Sequence, residues 1–123
     1  MGQDIVSDGL NQIMNAKRAK KKDVVLHKHS KLLRHILEIA KESGYLTFET
    51  EGTQLRVSIN HLNKIKAIKP RYTASVEKIK YYVRRFLPAK NFGFVIISTN
   101  KGLMKHNDAE EKHIGGSLVA YMY

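Results

Sequence analysis

The sequence predicts an α+β fold of two small subdomains, an N-terminal α-β-α-β-β unit and a mostly β C-terminal unit with short helices. Two observations predict it: apolar residues recur at helical spacing in some segments and alternate in others, and glycine or proline separates those segments. A chain of 123 residues with 42% apolar content holds one ordinary core. We therefore expect residues 1–62 and 63–123 to support each other.

The opening of the chain predicts a helix and a strand. Apolar residues at three- and four-residue steps predict a helix from Asp4 to Asn15. A basic exit from Ala16 to Lys22 follows, and β-branched residues then predict a short strand over Asp23–His27. The first subdomain thus begins with a helix, a basic connection and a strand.

A second helix and a hairpin complete the first subdomain. Ser30 is the predicted N-cap, because its hydroxyl can accept from an unpaired backbone amide. Gly44 is predicted to end the helix in the left-handed conformation. Polarity alternates over Tyr45–Glu51 and Gln54–Ile59 on either side of Gly52, which predicts a hairpin.

The second subdomain is predicted to begin with a strand and a helix. Ile65, Ala67 and Ile68 favour a strand, which Pro70 would end because proline cannot donate to a sheet. The segment Ser75–Phe86 carries apolar residues at helical spacing, so we expect a helix there.

The last third of the chain predicts a buried strand, a polar loop, a short helix and a final strand. Phe92–Ile97 is apolar on both faces, as in a central strand, and Ser98–Gly102 follows as the polar loop. Asn107 is the predicted cap of the short helix. Gly115 is predicted to end that helix before a final strand over residues 117–123.

Positive charge is concentrated in two stretches. The chain has 22 Lys and Arg against 11 Asp and Glu, a formal net charge of +11. Residues 17–34 hold eight basic groups against one acidic group, and residues 64–90 hold nine against one. Such an excess points to a polyanionic partner. Two basic stretches folded onto one face would form a continuous phosphate-binding surface.

Composition narrows the function classes further. The chain has no cysteine, which excludes disulfides and thiolate metal sites. No run approaches the roughly 18 apolar residues of a membrane-spanning helix, and the first residues lack a secretory signal pattern. We expect no membrane association, no cofactor and a cytoplasmic location.

Several segments together resemble one protein family. These are AIKPRY at residues 67–72, LPAKNFG at 87–93, STNKGLM at 98–104, GG at 115–116 and AYMY at 120–123. They are similar to motifs of the small-subunit ribosomal protein eight family in its archaeal and eukaryotic form. The resemblance covers almost the full chain. Lys105 departs from it, because the family usually places a hydroxyl cap there, so the cap is expected to move to Asn107.

The resemblance implies a two-domain protein that binds a central-domain helix of small-subunit rRNA, helps assembly and is not an enzyme. Its partners would be that rRNA and other small-subunit ribosomal proteins, with no small-molecule substrate. Carried over by position, the polar loop would contact RNA and the basic exit would contact phosphates. The implied RNA-binding residues are Ser98, Thr99, Asn100, Lys101 and Gly102, with Gly115 and Gly116 beside them, and Lys17, Arg18, Lys20, Lys21 and Lys22 in the basic exit. Lys69, Arg71 and Tyr72 of the second basic stretch are further predicted RNA-binding residues.

The chemistry of the polar loop suits RNA. The wide minor groove of an RNA helix displays 2′-hydroxyls and base edges, and Ser, Thr and Asn can both donate and accept hydrogen bonds. Gly102, Gly115 and Gly116 would let the backbone approach closely, and Lys101 can hold a phosphate. The basic stretches would supply most of the affinity and the loop most of the selection.

Other interpretations of single residues are weaker. Ser98, His106 and Asp108 could form a hydrolytic triad, but the Gly-x-Ser-x-Gly turn of such enzymes is absent. His27 and His29 are too few to hold a metal ion. We therefore predict no catalytic residue and no metal site.

Two further hypotheses concern nucleic acids. The six tyrosines could stack on bases, although packing in the core is the commoner role, and Tyr72 and Tyr82, which lie near Lys and Arg, are the better candidates. The alternative function is a general basic nucleic-acid-binding protein of chromatin or mRNA-regulatory type, which would bind long DNA about as well as rRNA. A nuclease would need a carboxylate cluster wider than Asp108, Glu110 and Glu111.

Overall fold

The structure, a computed structural model, describes residues 5–69, 71–89 and 92–123. It combines helices with antiparallel sheets, which confirms the predicted α+β fold. The chain divides into two compact units, Met1–Lys66 and Ala67–Tyr123, whereas the boundary predicted from the sequence falls after residue 62. The predicted helix start at Asp4 and the strand end at Pro70 lie outside the described residues.

The first unit contains a three-stranded antiparallel sheet and two helices. Its elements are α1 (Ile5–Arg18), β1 (Asp23–Leu26), α2 (Lys31–Glu42), β2 (Leu46–Glu51) and β3 (Gln54–Ile59). Strand β3 lies in the middle, where Leu55 pairs with Leu26 of β1 and with Thr50 of β2. The order of these elements is the predicted α-β-α-β-β order. The helices and strands bury leucine, isoleucine and valine side chains.

Both ends of α2 form as the sequence predicts. The Ser30 hydroxyl accepts from the Leu33 amide at 3.2 Å. At the other end, Gly44 has φ 82, and the Tyr45 amide donates to the Ala40 carbonyl at 3.1 Å. These bonds satisfy groups that a helix end otherwise leaves unpaired. Local sequence therefore fixes the limits of this helix.

Helix α1 is longer than predicted. It continues three residues beyond Asn15, to Arg18, and takes in the first part of the predicted basic exit. Ala, Lys and Arg are strong helix formers. Positive charge at Lys17 and Arg18 also complements the negative end of the helix dipole. The first three residues of the predicted exit thus form the last turn of the helix, and residues 19–22 remain the connection.

The second unit is built on an antiparallel sheet. Strand β4 (Ile65–Ala67) spans the division between the units, and the elements after it are β5 (Thr73–Ala74), α3 (Val76–Phe86), β6 (Phe94–Thr99), β7 (Gly102–Lys105), α4 (His106–Glu111) and β8 (Gly116–Met122). Strand β8 pairs with β6 and with β5, and β6 pairs with β7. Val95, Ile97 and Leu118 are fully buried in the core of this unit. The polar residues Ser98–Gly102 lie at one end of this sheet, where β6 turns into β7.

Strand β6 differs from its prediction at both ends. It begins at Phe94, and Phe92 is 47% exposed. The chain enters the strand through Gly93 at φ 91, where a side chain would collide with the Met122 carbonyl. At its other end β6 continues through Ser98 and Thr99 and pairs with β7, a strand that was not predicted. Four residues of β7 are too few to show a clear alternation.

The caps of α4 also differ from their predictions. Lys105 occupies the N-cap position without a side-chain cap bond, and Asn107 is an exposed residue inside the helix. The helix starts earlier because the His106 ring is buried and its Nδ1 accepts from the Val95 amide at 3.1 Å. The Lys105 ammonium instead lies 4.6 Å from the centroid of the Phe94 ring.

His113, and not Gly115, ends α4. His113 has φ 54, and the Ile114 amide donates to the Ala109 carbonyl at 3.0 Å. This is the hydrogen bond that a left-handed residue allows just past a helix end. Gly115 is therefore not needed to end the helix, and it lies two residues further along, just before β8.

Candidate nucleic-acid interface

The predicted polar loop is a tight β-hairpin. Thr99 at the end of β6 pairs with Gly102 at the start of β7, which leaves only Asn100 and Lys101 as turn residues. Positive φ falls on Gly102, at 107. A hairpin whose left-handed position follows the turn residues is a common short connection between antiparallel strands. Gly102 therefore takes the left-handed conformation that this turn needs, and Asn100 and Lys101 do not have to adopt it. Both residues are exposed.

The Thr99 side chain holds this turn together. Its Oγ1 donates to the Gly102 carbonyl at 2.8 Å and accepts from the Lys101 amide at 3.1 Å. The hydroxyl thus already bonds within the protein as donor and as acceptor. Thr99, one of the predicted RNA-contacting residues, shapes the hairpin that presents its neighbours.

Ser98 belongs to a row of hydroxyls that crosses three strands. Ser98 of β6 pairs with Ser117 of β8, and Ser117 pairs with Thr73 of β5. Directly opposed residues of neighbouring strands carry their side chains on the same face. Ser98 and Thr73 are exposed and Ser117 is half-buried. Adjacent strands are about 4.8 Å apart, so this hydroxyl row (Thr73, Ser117 and Ser98) spans about 10 Å.

Gly115 and Gly116 serve close packing inside the protein. A Cβ at Gly116 would meet the Ser98 carbonyl, and a Cβ at Gly115 would meet the Ala74 carbonyl. Gly102 is different, because a Cβ there would meet open space and only its φ favours glycine. The paired glycines thus hold β5, β6 and β8 close together, which sets the spacing of the hydroxyl row.

The basic exit in the first unit forms the end of α1 and the connection to β1. The Lys21 amide donates to the Ala16 carbonyl at 2.9 Å, with Lys20 between them at φ 61. Lysine in this left-handed conformation costs roughly 1–2 kcal/mol relative to glycine. Arg18, Lys20, Lys21 and Lys22 are exposed and Lys17 is half-buried, so the turn presents its charges to solvent.

The residues predicted in the second basic stretch differ in their surroundings. Lys69 and Arg71 are exposed. Tyr72 is half-buried, and its ring stacks on Tyr82 with centroids 5.4 Å apart. The Arg85 guanidinium lies 5.6 Å from the centroid of the Tyr72 ring. The two tyrosines expected to stack on bases therefore stack on each other.

The histidines singled out in the sequence have protein partners. The Nδ1 of His27 bonds to the Gln54 amide at 2.8 Å, and the ring of His29 contacts the Thr53 carbonyl at 3.0 Å. The ring of His106 is buried in the core of the second unit, where desolvation lowers its pKa. Among the described residues, no three His, Asp or Glu side chains group as they would around a metal ion.

Sequence reasoning did not single out two features of the candidate surface. Thr73 and Ser117 join Ser98 only through strand pairing, and a two-residue strand such as β5 leaves no periodicity to read. The exposed outer face of α3 lies within the second basic stretch, which the sequence predicts to contact phosphates, but Tyr81 was not singled out there. Helical spacing from the buried Ile79 could have placed Tyr81 on the outside.

Fold and site define a class: a basic α+β protein of two units, one of which ends its sheet in a hydrogen-bonding hairpin. The chain belongs to the ribosomal protein S8 family of the small ribosomal subunit, whose family model matches residues 4–123. This is a family of ribosomal structural proteins and not of enzymes. Of the helices in the described part of the chain, none is long and apolar enough to cross a membrane.

Curated relatives agree with the family assignment. The chain is 36% identical over 127 residues to small ribosomal subunit protein uS8 of Methanosphaerula palustris, with 98% of each chain covered. It is 37% identical to uS8 of Methanoregula boonei, with 96% of this chain and 95% of the relative covered. Identity to uS8 of Nanoarchaeum equitans is 36%, with both chains covered in full. The similarity to these three archaeal proteins thus extends over nearly the whole length of the chain.

Proposed function

We propose that the protein binds small-subunit rRNA directly, at a helix of the central domain, and helps the subunit to assemble. Its place is then the ribosome in the cytoplasm, and its partners are that rRNA and neighbouring small-subunit proteins. One observation carries the proposal: in a member of the S8 family, three hydroxyls and an amide-bearing turn lie together at one end of a sheet.

The hydroxyl row supports recognition of an RNA minor groove. That groove is shallow and presents 2′-hydroxyls and base edges, which short hydroxyl side chains on a flat sheet can meet. Each hydroxyl can donate to one RNA atom and accept from another. Asn100 and Lys101 extend from the adjoining turn, where the amide can bond a base edge and the ammonium a phosphate. DNA lacks the 2′-hydroxyl, so such contacts favour RNA.

The basic residues of the α1 exit would bind phosphates without reading sequence. Phosphate contacts supply much of the affinity of a nucleic-acid-binding protein and its salt dependence, whereas groove contacts supply the discrimination. Arg18, Lys20, Lys21 and Lys22 are exposed around one helix end. We assign them to affinity, and the hydroxyl row with Asn100 to selection.

The test is a double variant, Ser98→Ala with Ser117→Ala, in the full chain. Binding to a central-domain rRNA fragment should weaken by about 1–3 kcal/mol for each buried hydrogen bond that loses its partner. Binding to an unrelated RNA duplex should barely change. Thr47→Ala with Thr50→Ala is the matched control, because it removes two exposed hydroxyls from β2. Titrations of both RNAs at one stated salt concentration measure the difference.

An equal loss on both RNAs would contradict this assignment. If the protein is instead a general nucleic-acid binder, long DNA should displace the labelled rRNA fragment as effectively as the unlabelled fragment does. A DNA competition arm in the same titration separates the two functions.

A further inference from the structure

The outer face of α3 carries an exposed tyrosine among positive charges. Tyr81 is 60% exposed, and Lys78, Arg84 and Arg85 are exposed as well. They lie three before, three after and four after Tyr81, positions that are neighbours on a helix surface. Two acidic groups lie near it: Glu77 on α3 itself, and Glu110 of α4, which lines a cavity together with Arg84. We call Lys78, Tyr81, Arg84 and Arg85 the α3 outer face.

A chain of aromatic rings holds Tyr81 in place. Its ring meets the Tyr82 ring at 80°, with centroids 5.2 Å apart. Tyr82 in turn stacks on Tyr72 at 5.4 Å and on Phe86 at 6.5 Å. Phe86 stacks on the buried Tyr121 at 5.2 Å. Tyr81 is thus the exposed end of a packed series, and a ring held in this way loses little conformational freedom when a ligand binds it.

The cations beside Tyr81 are available to an anion. Arg85 is held by the rings of Tyr72 and Phe86, with its guanidinium 5.6 and 5.8 Å from their centroids. No described carboxylate pairs with Lys78 or Arg84 within 4.0 Å. The face therefore combines a flat aromatic surface with positive charges that no neighbouring acid neutralises at contact distance.

We propose that the α3 outer face is a second RNA-contact site, where an unpaired base stacks on Tyr81 and Lys78, Arg84 and Arg85 hold the flanking phosphates. Aromatic rings flanked by cations are the platforms on which proteins bind single-stranded nucleic acid. A paired base cannot offer its face, so the ligand is a bulged, looped or terminal nucleotide. The inference rests on the proposed function, but it concerns a different surface and a different form of RNA from the hydroxyl row.

The complementary charge favours RNA over a protein partner at this face. A protein would have to present acidic groups and an apolar contact together. An RNA strand supplies phosphates and a base within one nucleotide. The stacking role predicted for Tyr72 and Tyr82 thus passes to Tyr81, whose ring is 60% exposed.

The test compares variants of the full chain for binding to a short single-stranded RNA of about ten nucleotides. Tyr81→Leu keeps an apolar helix former but removes the ring, and it should weaken binding roughly 5- to 150-fold, the loss of one stacked base. Tyr81→Phe should keep the affinity. Phe92→Leu is the matched control, because Phe92 is the other exposed large apolar residue of the described chain, at 47%.

A fluorescent variant gives a second measurement. The chain has no tryptophan, so Tyr81→Trp introduces a single reporter, and its emission should be quenched as the single-stranded RNA binds. Unquenched emission at saturation, or equal affinity of Tyr81→Leu and the wild-type chain, would overturn the inference. So would loss of a ribosomal-protein contact in Tyr81→Leu with RNA affinity unchanged.

The two proposals fail separately. Tyr81→Leu should leave binding to a fully paired central-domain helix unchanged, whereas Ser98→Ala with Ser117→Ala should weaken it. If only the serine variant has its expected effect, the second site is wrong and the proposed function stands. If only Tyr81→Leu has its effect, the α3 outer face binds RNA but the hydroxyl row does not select it.

Discussion

At the scale of single residues, burial of the His106 side chain determines its protonation state and the hydrogen bond that it accepts. The His106 ring accepts from the Val95 amide through Nδ1, so the ring must be unprotonated at that nitrogen. Burial lowers the pKa of His106 below its ordinary 6.5, and the carboxylates of Glu110 and Asp108 oppose that shift only in part. A neutral histidine thus joins α4 to β6.

His106 should make the stability of the protein depend on pH. Its folded-state pKa lies below 6.5, so the unfolded chain binds the proton more readily. Stability from this residue is therefore complete above pH 6.5 and falls as pH drops through the folded-state pKa. In His106→Asn, whose amide oxygen can replace Nδ1 as acceptor, that part of the decline should disappear. Urea unfolding between pH 7.5 and 5 measures it, and parallel curves for the two proteins would contradict the assignment.

At the scale of elements, sequence predicts best where one short segment decides the outcome. The cap at Ser30, the stop at Gly44 and the hairpin around Gly52 follow from local rules and are confirmed. The hairpin around Asn100 was predicted as a loop, because its hydroxyl residues look polar rather than β-forming. Its strand character comes from pairing with β8 and β7, which are distant or short segments that local pattern does not reveal.

The glycines of the sheet end give a prediction that separates packing from backbone conformation. Gly116→Ala should lower the free energy of unfolding by about 1–3 kcal/mol, because its methyl group would press on the Ser98 carbonyl. Gly102→Ala should cost roughly 1–2 kcal/mol through its left-handed φ alone, since open space surrounds that Cβ.

Substitution by asparagine distinguishes the two causes. Asparagine tolerates the left-handed region, so Gly102→Asn should recover part of the loss, whereas Gly116→Asn should be worse than Gly116→Ala. Denaturant unfolding of the four variants decides between them. Recovery at both positions would show that crowding at Gly116 is not the cause.

At the scale of the whole molecule, the net charge of +11 acts in opposite directions on folding and on binding. Like charges repel within the folded chain, and added salt screens them, so the midpoint of thermal unfolding of the free protein should rise with salt. Binding to RNA should weaken over the same range, because released counterions no longer favour it. The two measurements on one salt series should therefore change with opposite sign.

The lysines of the α1 exit should account for part of that salt dependence. Replacing Lys20, Lys21 and Lys22 by Ala should reduce the slope of log affinity against log salt by about 2–3, if each contacts one phosphate. A control variant at the exposed Lys41 and Lys112, which lie outside both basic stretches, should leave the slope nearly unchanged. Equal slopes for the two variants would place the phosphate contacts elsewhere.

The family was more predictable from the sequence than the candidate site was. The charge excess and the C-terminal motifs were enough to indicate the family, which the full-length match confirms. The site depends on which residues share a face, and that is decided by strand register. Ser117 and Thr73 join the candidate site only through their strand pairing, and Tyr81 enters the proposed second site only through its exposure.

In the β6–β7 hairpin, the residues that fix the backbone differ from those that present side chains to solvent, and this affects how the hairpin surface can change during evolution. Thr99 and Gly102 hold the backbone, so the side chains at 100 and 101 are under no conformational constraint of their own. Mutation can then exchange a hydroxyl, an amide or a charge at the tip while the fold remains intact. If the tip contacts RNA as proposed, protein and RNA can change together by single substitutions, with a folded protein at every step.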